Sequence, residues 1–214
     1  MKFFSSSFAL FLFACLLLAG HCNAAARQDP RECPKAIGQA IDNADLATFE
    51  KLVDLDGIID EGVSFFLEEI RKPENARHLP PMLAMMFSRT AAGDDMAKSI
   101  RTMLVGETRA FVCNGVASGA FAGRTPTGAT QQGLLAPLFA DASKGRKEIR
   151  SIGKASAIGE GLWHVPFVLH DGGNDLDYPV VGLVSQTKNG LRLTAIDNFD
   201  ELFARVAAET KNIQ

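Results

Sequence analysis

The chain holds four histidines, and two of them, His164 and His170, stand on the same side of one alternating apolar stretch. A shared metal ion would need both imidazoles within about 2 Å of it, whereas six residues of strand hold them roughly 20 Å apart. Each reads as an ordinary strand or rim histidine. Met82, Met85 and Met86 fall on one helical face just beyond His78. Thioethers can hold Cu(I) outside the cytoplasm, but Pro80-Pro81 stops His78 from continuing that helix into register, and methionine fills core gaps well. The run His170 to Asp177 offers several oxygen ligands, yet it lacks both the spacing and the bidentate glutamate of a calcium loop. Gly128 to Gly133 has the glycine spacing of a phosphate loop, but Leu134 and Leu135 occupy the lysine and hydroxyl places. No metal and no cofactor is assigned.

Hydrolytic chemistry fares no better. Ser118 sits in Gly115-Val116-Ala117-Ser118-Gly119, which misses the nucleophile-elbow spacing by one residue. Asp54, Asp56, Asp60 and Glu61 could do carboxylate chemistry, but helix capping and a solvated helix start explain them. Nothing nominates a catalytic residue.

The first residues set the compartment. Lys2 is the only charge before Arg27, and Phe8 to Ala19 is an unbroken apolar run. It falls well short of the roughly 20 residues that span a bilayer. A basic start, a short apolar stretch and then small residues describe a cleavable export signal, residues 1–24, with the mature chain beginning at Ala25 or Arg27. Lipidation at Cys22 would want a small residue before it, and His21 stands there. The expected location is periplasmic or secreted, with no transmembrane segment in the mature chain. Losing Lys2 takes the formal charge from −3 to −4. The cluster Lys144, Arg146, Lys147, Arg150 and Lys154 is interrupted by Glu148, so no basic stripe for nucleic acid is present. Cys15 and Cys22 leave with the signal. Cys33 and Cys113 remain, and in an oxidising compartment one disulfide between them is the economical reading, with two separate buried thiols as the alternative.

Positioning these groups falls to two kinds of segment in one domain, residues 25–214. From 29 to 122 the apolar residues recur at helical spacing. Asp29-Pro30 or Cys33-Pro34 opens a first helix, Asp45 caps a second and Asp56 a third, and two or three more are expected over Met82 to Arg89, 94–104 and 107–121. Residues 123–146 read as a loop region, its start rich in glycine and threonine. From 147 to 197 the period changes to two, giving a four-stranded antiparallel meander. Its first, weaker strand runs from Lys147 to Ile158 with a bulge at Gly153, and Asn189-Gly190 turns the last hairpin. Asn198 caps a closing helix over 198–212. The class is α+β.

Two features carry a resemblance. The run Ala40 to Asp54, split by Asp45 and ending Leu52-Val53-Asp54, resembles the opening of exported proteins of the NTF2-like, cystatin-like group. The segment Asn189-Gly190-Leu191-Arg192-Leu193 is similar to that group's last hairpin, although Leu191 replaces the usual tryptophan and the helical half is longer than the group's minimal form. The resemblance implies a curled sheet with helices over its concave face, a shape able to hold a pocket. Trp163, Val165, Phe167 and Leu169 alternate on one strand face, and Trp163, Val165, Phe167 and Leu193 are the expected ligand-lining residues, with Phe66 and Phe111 facing them. The expected function is an exported binding module for a small apolar ligand or a partner's segment. The alternatives are an enzyme using a carboxylate or His164 in the same cone, and an envelope interaction protein whose exposed sheet face is the interface.

Overall fold

Asp29, placed before Pro30, accepts from the backbone N–H and guanidinium of Arg31, and its carbonyl accepts from Glu32 N–H at 2.9 Å. This turn launches the first helix. The computed structural model describes residues 28–72, 75, 94–125 and 144–211. Within them lie helices α1 (Glu32–Asn43), α2 (Leu46–Leu52), α3 (Leu55–Glu69) and α4 (Asp94–Ala117), and a 3-10 turn, Ala120–Ala122. Five strands follow: β1 (Lys147–Arg150), β2 (Ser156–Gly159), β3 (Leu162–Asp171), β4 (Leu176–Thr187) and β5 (Gly190–Ile196). Helix α5 (Phe199–Lys211) closes the chain.

Asp45 caps α2 as its spacing predicts, accepting from Thr48 N–H at 3.0 Å. The cap position of α3 falls to Asp54 rather than Asp56, two residues earlier, without a side-chain capping hydrogen bond. Where two helices are expected, α4 runs unbroken through Gly106, whose Cα faces open space. A single exposed glycine costs a helix only about 1 kcal/mol and does not end it.

The sheet is antiparallel, in the order β1-β3-β4-β5 with β2 also on β3. It has five strands rather than four, because the expected first strand is broken. β1 stops at Arg150 opposite Val168, and β2 begins at Ser156 opposite His164. Between those two partners lies Pro166, which has no N–H to give a neighbour. Only Gly153 bridges the gap, donating to the Pro166 carbonyl at 2.8 Å. A Cβ at 153 would sit 2.9 Å from Pro166 Cγ, so the crossing admits only glycine without a shift.

Pro179 in β4 is tolerated for the complementary reason. The β4–β5 ladder ends at Gly182 and Ile196, so Pro179 lies past the point where β5 would need its N–H. There the Asn198 side chain takes over from the strand. Its Oδ1 accepts from Val181 N–H at 2.8 Å and its Nδ2 donates to the Pro179 carbonyl at 3.0 Å, mimicking one more peptide of β5.

The helices cover one face. Trp163, Val165, Val184, Leu191 and Leu193 share a core with Cys33, Ile37, Phe49, Ile59 and Val63. α5 joins on the same side, its Phe199 and Phe203 rings against Phe65 of α3, and its Arg205 over the Tyr178 ring. At the far edge, Val53 makes a parallel bridge to Leu193, and Asp54 N–H donates to the Leu193 carbonyl at 2.8 Å. Arg192 donates to the Val53 carbonyl at 3.1 Å, so the β5 edge is covered.

Candidate functional site

Trp163, Val165, Phe167 and Leu193 all point to the helix-facing side, as their alternation requires. Val165 is fully closed to solvent and Trp163 only 8% exposed. Phe66 and Phe111 pack at the margin of the same core. The centre of this face is filled by two of the expected lining residues. Gly182 of β4 lies between β3 and β5, and a Cβ there would meet Leu193 Cδ1 at 2.6 Å and the Phe167 ring at 3.0 Å. The two side chains therefore close over the glycine from both sides. A ligand on this face would have to displace them.

The expected disulfide between Cys33 and Cys113 is not formed, and both are free thiols. α2 takes each one separately. Cys33 of α1 is buried with its Sγ 4.0 Å from the Leu52 carbonyl, and burial pushes its thiol up to about 11. Cys113 of α4 accepts from Arg109 Nη1 at 3.0 Å and lies 3.9 Å from Glu50 Oε1. Burial raises that thiol as well, against the pull of Arg109. Arg109 also binds Glu50 at 2.9 Å and Asp56 at 2.8 Å.

Two more of the carboxylates singled out by type have arginine partners, while Glu61 has none among the described residues. Asp54 pairs with Arg192 at 3.3 Å and Asp60 with Arg101 at 2.7 Å. Ser118 is a helix-end hydroxyl, donating to the Asn114 carbonyl at 2.6 Å. Among the described residues no group of His, Cys, Asp and Glu could hold a metal ion. In the run 170–177 the oxygens diverge. Asp171 pairs with buried Lys147, Asp177 meets His170 Nδ1 at 2.8 Å, and Asn174 turns to Tyr178 Oη and Leu176 N–H. His78, Met82, Met85, Met86 and the stretch Gly128 to Gly133 lie outside the described residues, as does the expected export signal. The basic cluster disperses into separate structural roles. Arg146 makes a bidentate pair with Asp42, Lys147 is buried on Asp171, and Arg150 binds Glu148.

What pattern reading left without detail is the opposite side of the sheet. Pro166 stands opposite Val181, Val168 opposite Pro179, and His164 opposite Leu183. With Leu162 and apart from His164 they make an apolar strip, half-buried or exposed, among the described residues. Polar groups bound it. At one end His170 lies between Glu148 and Asp177 in register, with Arg150 beside Glu148. At the other, His164 Nε2 reaches Asp197 at 3.3 Å, and Ser185 shares a hydrogen bond with Thr194 at 2.8 Å. Ser156 is the register neighbour of His164 across β2, but no hydrogen bond joins its hydroxyl to the imidazole. A nucleophile-and-base pair needs that contact.

Fold and surface together define an α+β arrangement in which, among the described residues, the helices lie on one side of an open antiparallel sheet. No protein-family model, curated protein or solved structure matches the chain. No helix among the described residues is long and apolar enough to cross a membrane.

Proposed function

We propose that this chain is an exported protein-interaction domain whose working surface is the face of the sheet that no helix covers among the described residues, hereafter the helix-free face, centred on Pro166, Val168, Pro179, Val181 and Leu183. The observation that carries the reading is the contrast between the two faces. The helix side is closed by Phe167 and Leu193 meeting over Gly182, while the other side presents a paired apolar strip with charged groups at its ends. An apolar centre inside a polar rim is the general anatomy of a protein interface. The imidazoles are held by aspartates and Asp54, Asp56 and Asp60 by arginines, which favours binding over catalysis. The one-sided helical cover also supports the NTF2-like resemblance, which enters here as part of the proposal.

The test places a photo-crosslinking residue at Val181, and at exposed Thr102 on α4 as the control, in the cells that make the protein. A discrete heavier adduct from position 181, absent from position 102 and lost with Leu183→Asp, is the expected result. If position 181 yields no adduct while an apolar probe shifts Trp163 emission, the site lies between sheet and helices and the proposal fails.

A further inference from the structure

The two edges of the sheet are treated differently. β5 is covered by Val53 and Asp54. β2, on the other edge, is exposed at every residue, and Ile158 keeps 48% of its surface in solvent. The chain already runs beside β3 from Gly153, whose N–H bonds Pro166, so the open edge extends upstream of the strand itself. Such an edge is a template for another strand, and proteins usually guard it with charge, proline or a covering element. Here β2 is short and bulged between Ala157 and Gly159, and the flanking charges are Lys154 before it and Glu160 in the turn after it, both exposed and neither in an ion pair among the described residues.

Their placement is self-complementary. Turning a second copy of the segment by a two-fold axis through Ala157 pairs Ala157 with Ala157, Ser156 with Ile158 and Ala155 with Gly159. The same operation brings Lys154, just before each strand, towards Glu160 in the turn just after its partner, twice. A two-fold interface demands this reciprocity. Opposite charges directly across antiparallel strands stabilise the pair and like charges oppose it. A guard built only to repel would carry one sign at both ends. Ile158 would lie diagonal to its own counterpart, within reach of a long side chain, and leave water.

We infer that β2 is a homodimer edge: two copies join antiparallel along Ser156–Gly159, flanked by Lys154 and Glu160, into one continuous sheet. The surface is separate from the helix-free face and does not depend on its role.

Sedimentation of the purified protein over a concentration series tests this. The wild type should be a dimer that dissociates on dilution. Lys154→Glu and Glu160→Lys should each raise the dissociation constant by about tenfold or more, since each sets two like-charge pairs across the axis. The double variant Lys154→Glu/Glu160→Lys restores the pairs with reversed sign, and should return to within about threefold of wild type. Ala157→Cys should cross-link between copies under mild oxidation, because facing strand residues lie about 4.5–5.5 Å apart, within disulfide range. Wild type oxidised in parallel controls for Cys33 and Cys113. A monomer throughout the series, or a dimer indifferent to both single reversals and uncross-linked through position 157, would overturn the inference. Both charge changes fall on exposed side chains, so loss of fold is not a competing explanation once circular dichroism matches wild type.

Discussion

Cys33 and Cys113 show how residue type alone misleads. Each looks like half of a bridge, yet each has its own partner on α2, one a carbonyl and the other a carboxylate with its arginine. Unfolded protein, recovered without reductant from its own compartment, should therefore titrate with both thiols free. A silent pair would mean that a bridge forms. Cys33 also makes a signed prediction. Its folded thiol holds the proton up to about 11, against an ordinary value of 9.0. Between those values the folded state binds more protons than the unfolded one, so stability is full below about pH 9 and falls as pH rises towards 11. The fall should amount to about 2–3 kcal/mol. Cys33→Ala has no such group, so the stability gap between it and wild type should shrink by that amount over the same range. A gap constant from pH 8 to 11 would show that the thiol is not desolvated.

At the scale of elements, Asn198 is the residue whose job the sequence announced only in part. Its side chain stands in for a strand peptide on β4 while its backbone carbonyl accepts from Leu202 in the first turn of α5 at 3.2 Å. Asn198→Ala would leave Val181 N–H and the Pro179 carbonyl without partners and remove the Nδ2 bond to Glu201 in the first turn of α5. It should cost about 2–4 kcal/mol, read from urea unfolding, and a loss under about 0.5 kcal/mol would contradict the role. The alternation from Trp163 to Leu169 made the buried face of β3 legible, and the cap at Asp45 and the two glycine-containing turns placed α2 and the hairpins. Local pattern could not show that Pro166 would break the neighbouring strand, because that depends on which residue lies across from it. Nor could it show Phe167 and Leu193 meeting over Gly182, His164 finding Asp197, or the exposed strip on the other face. All of these are facts of register, and register is set by pairing between segments far apart in the chain. The candidate surface was legible only as a mixed face on one strand.

At the scale of the molecule, several polar contacts among the described residues tie the helical half to the sheet half, and one of them joins three segments. Asp42, near the end of α1, receives Arg146 through both carboxylate oxygens at 2.9 and 3.0 Å. Its carbonyl accepts from Arg124 at 2.6 Å. A Cβ on Gly123 would lie 3.3 Å from Arg146 Cβ, so the chain after the 3-10 turn and the chain before β1 run side by side. The peptide link between them is then not what holds them together. A chain nicked once between residues 126 and 143 should stay one particle on gel filtration, and its two pieces, separated in urea and mixed, should find each other again with the original circular dichroism. Asp42→Ala should weaken that reunion far more than it weakens the intact chain, where the covalent link keeps the two arginines at high effective concentration. New termini placed there would let each half be made, labelled or exchanged separately, with Asp42 as the socket.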